Sequence, residues 1–128
     1  MEEKNNPLSP HLQIYKWQIS SLLSITHRIV GVINIIAITI ICFWSLSLLL
    51  GAESYIIINN FFQSFFGKFV AIGLCWTFSF HILNELRHLF WDLGYGFDLK
   101  ISKITGVLAL VGSFVLTILF YLIGKNIF

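Results

Sequence analysis

Charged residues are scarce in this sequence. Only 11% of the 128 residues are Asp, Glu, Lys or Arg, while 57% are hydrophobic. A soluble globular domain usually contains about 25% charged residues, so the composition argues against a domain that is surrounded by water. The formal net charge is only +2, which is too small to indicate a nucleic-acid-binding surface. The length is that of a single domain.

Cysteine is also rare. Cys42 and Cys75 lie 33 residues apart within apolar runs, and they form neither a CxxC pair nor a zinc-like spacing. This excludes a zinc site or a redox motif that is built from cysteine. Both residues are expected to be small apolar groups in a reduced or lipid environment.

The N-terminus lacks the features of a targeting sequence. It reads MEEKNNPLSPHLQ, with two glutamates where a signal peptide is basic, and it lacks the arginine-rich pattern of a transit peptide. Pro7 and Pro10 favour an extended conformation. We therefore expect residues 1–19 to be a cytoplasmic segment of the mature chain.

Three long runs lack any formal charge: residues 29–50, 69–84 and 104–124. A helix needs about 20 apolar residues to cross a bilayer. The runs predict an all-α integral membrane protein, with a transmembrane domain at 20–128 and three helices at about 20–50, 61–91 and 102–125. Ser20 or Ser21 is the expected N-cap of the first helix, and residues 51–60 are expected to form an external loop.

The basic residues indicate how these helices cross the membrane. Positive residues accumulate on the cytoplasmic side of membrane proteins. With a cytoplasmic N-terminus, six Lys and Arg residues lie on that side and two, Lys68 and Lys125, on the other. The sequence therefore predicts a cytoplasmic N-terminus. The six are Lys4, Lys16, Arg28, Arg87, Lys100 and Lys103.

The third predicted helix carries small residues along one face. Gly106, Ala109, Ser113 and Thr117 follow one another at spacings of 3, 4 and 4 residues. Small residues let helices approach closely in a membrane, so this face is expected to pack against another helix.

Polar residues within membrane helices are the most informative about function. In the first helix, Ser24 and Arg28 are four residues apart and share a face, with His27 beside it. Arg28 is either an anchor at the membrane interface or one half of a donor pair with Ser24. Such a pair suits a carbonyl or anionic oxygen held at the membrane edge.

The second helix places His81, Glu85 and His88 on one face. A buried imidazole needs a partner for its ring nitrogens. His81 therefore either bonds to a neighbouring helix or is an axial ligand of haem iron. A haem with two histidine ligands would take the second one from another chain. His27 and His88, with Arg28 and Arg87, would then face its propionates at the membrane edge.

The sequence resembles a known family at three motifs. They are PLSPHLQIYKW at 7–17, SITHRIVG at 24–31 and HILNELRHLFWD at 81–92. In this order, and with three membrane spans, they resemble the cytochrome b subunits of succinate dehydrogenase, which are membrane anchors of respiratory complex II. The resemblance covers nearly the whole chain.

The resemblance implies a four-subunit succinate:quinone oxidoreductase. This chain would not be an enzyme by itself but one of two membrane anchor subunits, beside an iron–sulfur subunit and a flavoprotein subunit. The two anchors would form a helix bundle that binds haem b and ubiquinone. The resemblance makes His81 the haem axial ligand and Ser24 and Arg28 the quinone-binding pair, and places His27, Arg28 and His88 on the propionate side of the haem.

One departure from the family pattern bears on the haem site. Glu85 stands where the family usually has glycine, one turn from His81. We expect this carboxylate to crowd the porphyrin edge or to pair with Arg87 or His88. The resemblance favours the inner membrane of a cell over that of a mitochondrion. A fumarate reductase anchor, a haem-free structural anchor, and an unrelated membrane protein with histidines bonded between helices are the alternatives.

Overall fold

A computed structural model describes residues 17–127 of the chain. These residues form four helices and contain no β-strand, so the predicted all-α fold is confirmed. Of the expected N-terminal segment 1–19, residues 1–16 lie outside the described part. In chain order the helices are α1 (Ile19–Leu50), α2 (Ala52–Gln63), α3 (Phe65–Asp92) and α4 (Leu99–Ile127).

Three of the helices are long and apolar enough to cross a membrane. The candidate spans lie in α1, α3 and α4, with mean hydropathies of 2.5, 1.4 and 2.5 over their most apolar windows. At about 1.5 Å per residue, the 32 residues of α1 extend well beyond a hydrocarbon layer of about 30 Å. The predicted number of spans is confirmed.

The short helix α2 replaces the loop that was expected at 51–60. Gly51 ends α1 with a φ of 112°, a conformation that glycine adopts without steric cost. The following segment, AESYIIINNFFQ, contains neither glycine nor proline, and Glu53 lies in its first turn, where a negative charge is favourable. The second membrane helix consequently begins at Phe65, four residues after the predicted start.

The start of α1 also differs from the prediction. Its N-cap is Gln18, which makes no side-chain capping bond, and Ser20 and Ser21 lie within the helix. By contrast, Ser64 does cap α3, because its Oγ accepts a hydrogen bond from the Gly67 N–H at 3.0 Å. Ser64 thus stabilises the start of α3 at the bend between α2 and α3.

Gly67 is needed where α2 turns into α3. A methyl group at this position would overlap the backbone carbonyl of Phe61, whereas one at Gly73 in the same helix would meet no atom within 4 Å. We expect Gly67→Ala to destabilise the protein by about 1–3 kcal/mol, as overpacking does. Gly73→Ala should be neutral or stabilising by up to about 1 kcal/mol, since alanine favours helices.

The measurement is the unfolding temperature of the detergent-solubilised protein. Gly73→Ala is the matched control, because it makes the same chemical change in the same helix. Equal unfolding temperatures for the two variants would show that the turn tolerates a side chain at residue 67.

The turn between α3 and α4 contains two glycines in the left-handed region. Gly94 and Gly96 have φ angles of 88° and 83°, and the Trp91 indole N–H donates to the Gly96 carbonyl oxygen at 3.2 Å. Helix α3 packs most extensively against α4, and α1 packs mainly against α3. The turn thus places the start of α4 beside the end of α3, the helix that carries His81 and His88.

The interior of the bundle is small and partly polar. Its apolar cluster consists of Leu23, Val30 and Phe80, with Trp76 packed against it. Asn34 is also buried, and most large apolar side chains in the described residues point outwards. This arrangement is typical of a bundle that is surrounded by lipid and partner helices.

The small-residue face of α4 lies in this interior, as predicted. Gly106, Ala109, Ser113 and Thr117 are all buried. A side chain at Gly106 would overlap Leu23 of α1, so α1 and α4 approach closely at this level.

Candidate functional site

Three histidines from two helices converge on one side of the bundle. The rings of His27 on α1 and His81 on α3 are stacked, with centroids 4.4 Å apart and an interplanar angle of 17°. His88 follows His81 on the same face of α3, and its ring centroid lies 5.5 Å from that of His27. Gly31, one turn after His27, also borders these rings, because a side chain there would begin in van der Waals contact with His81 Cε1, at 3.5 Å.

The His81 ring makes no hydrogen bond with any of the residues that the structure describes. Its Nδ1 is buried without a partner, and its Nε2 lies 3.8 Å from the nearest carboxylate oxygen, that of Glu85, which is beyond hydrogen-bonding distance. Its side chain is 31% exposed, so the ring lies at the surface of the bundle. An imidazole with unbonded nitrogens at such a surface meets the basic requirement for binding a metal centre from outside this chain.

Glu85 pairs with a histidine on the neighbouring helix. Its Oε1 lies 3.1 Å from His27 Nε2, in an ion-pair geometry that is not that of a directed hydrogen bond. No ion pair joins Glu85 to an arginine or to His88 among the described residues, so the pairing expected with Arg87 or His88 is wrong. The side chain of Glu85 is 56% exposed and has room to rotate away from the two rings.

Ser24 lines a cavity between α1 and α3. The cavity has a volume of about 310 Å³ and holds the side chain of His88 in its wall. Arg28 is exposed on α1, one turn after Ser24, and does not line this cavity. The lining residues are Ser20, Ser21, Ser24, Asn84, Arg87, His88 and Trp91.

Arg87 is a buried residue that ties α3 to the start of α4. Only 8% of it is exposed. Its Nη2 donates to the carbonyl and the hydroxyl oxygens of Ser102, both at 2.9 Å, and its Nε donates to Thr105 Oγ1 at 3.2 Å. The guanidinium also lies over the Trp91 ring, 4.1 Å from its centroid. The expected role of Arg87 as a propionate partner therefore does not fit its position.

The predicted site residues fall into two groups. His27, His81 and His88 come together across α1 and α3, and Ser24 shares a cavity with His88, whereas Arg28 is exposed and is not among the residues that line that cavity. Sequence reasoning placed Glu85 on the face of His81 but missed its partner His27. The spacing along α3 reveals which residues share a face, but the partner depends on how α1 is aligned against α3.

The whole chain is similar to membrane subunits of known respiratory enzymes. The profile of the family described as succinate dehydrogenase/fumarate reductase transmembrane subunit matches residues 2–120. A succinate dehydrogenase cytochrome b556 subunit from Rickettsia conorii is 42% identical over 118 residues, which cover 90% of each chain.

Two further relatives come from different lineages. The cytochrome b556 subunit of succinate dehydrogenase from Paracoccus denitrificans is 32% identical, covering 90% of this chain and 88% of the relative. The cytochrome b560 subunit from Reclinomonas americana is 35% identical, covering 93% and 86%. In each case the similarity covers at least 90% of this chain.

Proposed function

This chain belongs to the family of succinate dehydrogenase/fumarate reductase transmembrane subunits, and from that membership we propose that it is the haem-binding membrane anchor of a succinate dehydrogenase. The relatives are named as cytochrome b subunits of succinate dehydrogenase, which favours succinate oxidation as the direction of the reaction. In this role the chain is not an enzyme alone but a membrane subunit of a succinate:quinone oxidoreductase.

The unbonded ring of His81 is the observation that carries the haem proposal. Neither ring nitrogen makes a hydrogen bond within the described residues, and the side chain is 31% exposed at the surface of the bundle. An exposed imidazole nitrogen that makes no hydrogen bond can bind an iron that lies outside this chain. His81 is therefore proposed as an axial ligand of haem b, which when bound supplies a one-electron carrier within the membrane.

The neighbouring polar residues suit the edge of the same group. His27 and His88 lie beside His81, towards the end of α3 that carries Arg87. Arg28 follows His27 on the exposed side of α1. These three residues are proposed to donate to the haem propionates. The second axial histidine is assigned to the other membrane anchor subunit, because the His81 ring lies at the surface of the bundle, where a partner helix could approach the other side of the iron.

Ser24 and Arg28 are proposed to bind ubiquinone. Both are exposed on α1, one turn apart, near the cavity between α1 and α3. The Ser24 hydroxyl would donate to a quinone carbonyl oxygen. As the quinone is reduced, negative charge develops on that oxygen, and the Arg28 guanidinium would stabilise it in a medium of low dielectric constant.

The remaining parts of the proposal concern the surroundings. The chain is a membrane protein with three spans, and its bacterial relatives favour a cell inner membrane. The bias of basic residues supports a cytoplasmic N-terminus. Beside the second anchor, the proposed partners are the iron–sulfur subunit, which would deliver electrons at the Ser24 end of the bundle, and the flavoprotein that oxidises succinate.

The quinone proposal is tested by Arg28→Ala in the purified four-subunit complex. We expect the succinate:quinone turnover to fall by about 10²-fold, the size of effect seen when one donor to a developing oxyanion is removed. Succinate oxidation with an artificial acceptor that takes electrons from the soluble subunits should be unchanged, because that path does not reach the membrane.

Lys103→Ala is the matched control, since it removes an exposed positive charge near the same end of the bundle. It should leave both activities near the wild-type values. Wild-type quinone turnover in Arg28→Ala, in a complex that contains all four subunits, would exclude the role that is given to Arg28.

A further inference from the structure

His27, His81 and Glu85 form a cluster of three side chains that could bind a single metal ion instead of haem. Ligand atoms of His27, His81 and Glu85 all lie within 4.8 Å of one another. Two histidines and one carboxylate are a common ligand set for Zn²⁺ and for other first-row divalent ions. We infer that these three side chains bind a divalent transition-metal ion when haem is absent, and this inference rests on the proposed role of His81 in haem binding.

The two distances that involve Glu85 are close to those of a formed site, and all three ligand atoms lie within 4.8 Å of one another. Ligands at about 2.0–2.2 Å from zinc lie roughly 3–3.5 Å from one another. The separation of His27 Nε2 from Glu85 Oε1 is 3.1 Å, which already fits, and that of His81 Nε2 from Glu85 Oε1 is 3.8 Å. Because Glu85 is largely exposed, a rotation of its side chain can bring its carboxylate closer to His81.

The bonding state of the three side chains also favours a cation. His27 Nε2 has no directed hydrogen bond, and neither His81 nitrogen has any. The Glu85 carboxylate has no lysine or arginine partner among the described residues. A divalent ion would bond the two rings and neutralise the carboxylate at the same time.

His88 is adjacent but is not part of the set. Its ring lies edge-on to that of Trp91, with centroids 5.0 Å apart, and it is absent from the group of ligand atoms that lie within reach of one another. It therefore serves as a neighbouring histidine whose removal leaves the three proposed ligands in place.

Haem and the divalent ion would exclude each other at this site. Both need His81, whose Nδ1 is buried, so both would compete for Nε2, and one imidazole nitrogen can bind only one metal. Glu85 is the residue that distinguishes the two states, because it is a ligand in the divalent-ion state and is not a proposed haem ligand. The exposed side of Glu85 offers the entry path for the ion.

The test uses the whole complex purified from cells that are starved of haem, with Zn²⁺ alone as the probe. The complex is incubated with Zn²⁺ in the presence of a competing chelator, and bound zinc is counted by elemental mass spectrometry. We expect one more zinc per complex than in the haem-loaded form. Glu85→Gln should weaken this binding by about a hundredfold or more, since loss of even an outer-shell partner costs 10–100-fold.

The controls are Glu53→Gln, an exposed acid on α2, and His88→Ala. Both should retain the wild-type zinc affinity. Equal zinc binding in the wild type and in Glu85→Gln would overturn the inference. The haem spectrum of the haem-loaded complex is measured separately, and absence of haem there would refute the proposed cofactor. The zinc inference is tested independently, by comparing zinc binding in the wild type and in Glu85→Gln.

A second measurement requires no purified haem-free complex. Membranes from haem-starved cells are supplied with haem, with or without Zn²⁺, and the growth of the reduced-minus-oxidised haem spectrum is followed. Zn²⁺ should slow haem incorporation in the wild type but not in Glu85→Gln. Equal slowing in both, or none in either, would overturn the inference.

Discussion

Replacing His81 by alanine is expected to remove the haem signal from the purified complex. The structure leaves both nitrogens of this ring without hydrogen bonds at the surface of the bundle, and the proposed function assigns it to the iron. Loss of an axial ligand should reduce the haem content to about a tenth or less, because each 1.4 kcal/mol of lost binding free energy lowers affinity tenfold. The measurement is a reduced-minus-oxidised spectrum normalised to the flavin content.

His88→Ala provides the comparison. It removes a histidine from the same face of α3, but one that is proposed to contact only the propionates. This variant should keep most of its haem while His81→Ala loses it. If His81→Ala retained a wild-type spectrum in an assembled complex, then the iron ligand would have to be sought elsewhere and His81 would be only a packing residue.

Replacing Arg87 by methionine is expected to lower the stability of the α3–α4 unit by about 2–4 kcal/mol. Three hydrogen bonds from its guanidinium reach Ser102 and Thr105, and bonds to charged groups contribute about 1.5–3 kcal/mol each. The expected loss of stability is smaller than the sum of these hydrogen-bond contributions, because a cation with no acidic partner among the described residues is costly to bury. The contact with Trp91 is lost as well.

The measurement is the temperature at which the detergent-solubilised complex dissociates. Arg87→Lys should fall between the wild type and Arg87→Met, since it keeps the charge but lacks the planar fork that reaches both partners. Lys100→Met, at an exposed position near the start of α4, is the control for removing a positive charge. A midpoint for Arg87→Met at or above that of the wild type would mean that burial of the cation costs more than its bonds return.

The number and extent of the membrane spans could be predicted from the sequence because they depend on local hydropathy. The predicted helices at 20–50, 61–91 and 102–125 overlap closely with α1, α3 and α4. The positions of Gly94 and Gly96 in the sequence are consistent with the turn before α4, because a positive φ is a local requirement. The buried face of α4 was predicted from the spacing of its small residues, which let helices approach closely.

The segment between the first two spans was not predictable in this way. Asn59, Asn60 and the preceding Gly51 resemble turn signals, yet only Gly51 adopts a turn conformation. The apolar residues of α2 do not distinguish a helix from a loop. In the structure, α2 also contacts α1 and α3, and these contacts stabilise the helix. Such tertiary contacts cannot be predicted from the local sequence pattern.

The candidate site was predicted in its composition but not in its pairings. The histidines and Ser24 were found because polar residues are rare in apolar runs. The partner of Glu85 and the burial of Arg87 depend on the axial alignment of neighbouring helices. Hydropathy places Arg87 near the end of a span, but it does not show that Ser102 and Thr105 of α4 lie beside it.

The outward-facing apolar surface also determines the order of events when the chain is made. Each span has its backbone bonds within its own helix and can enter the bilayer separately. The buried Asn34 and Arg87 then face lipid or the translocon wall until the spans meet. Biogenesis is therefore divided into insertion followed by lateral assembly, and the hydrogen bonds of Arg87 to Ser102 and Thr105 can form only in the second step.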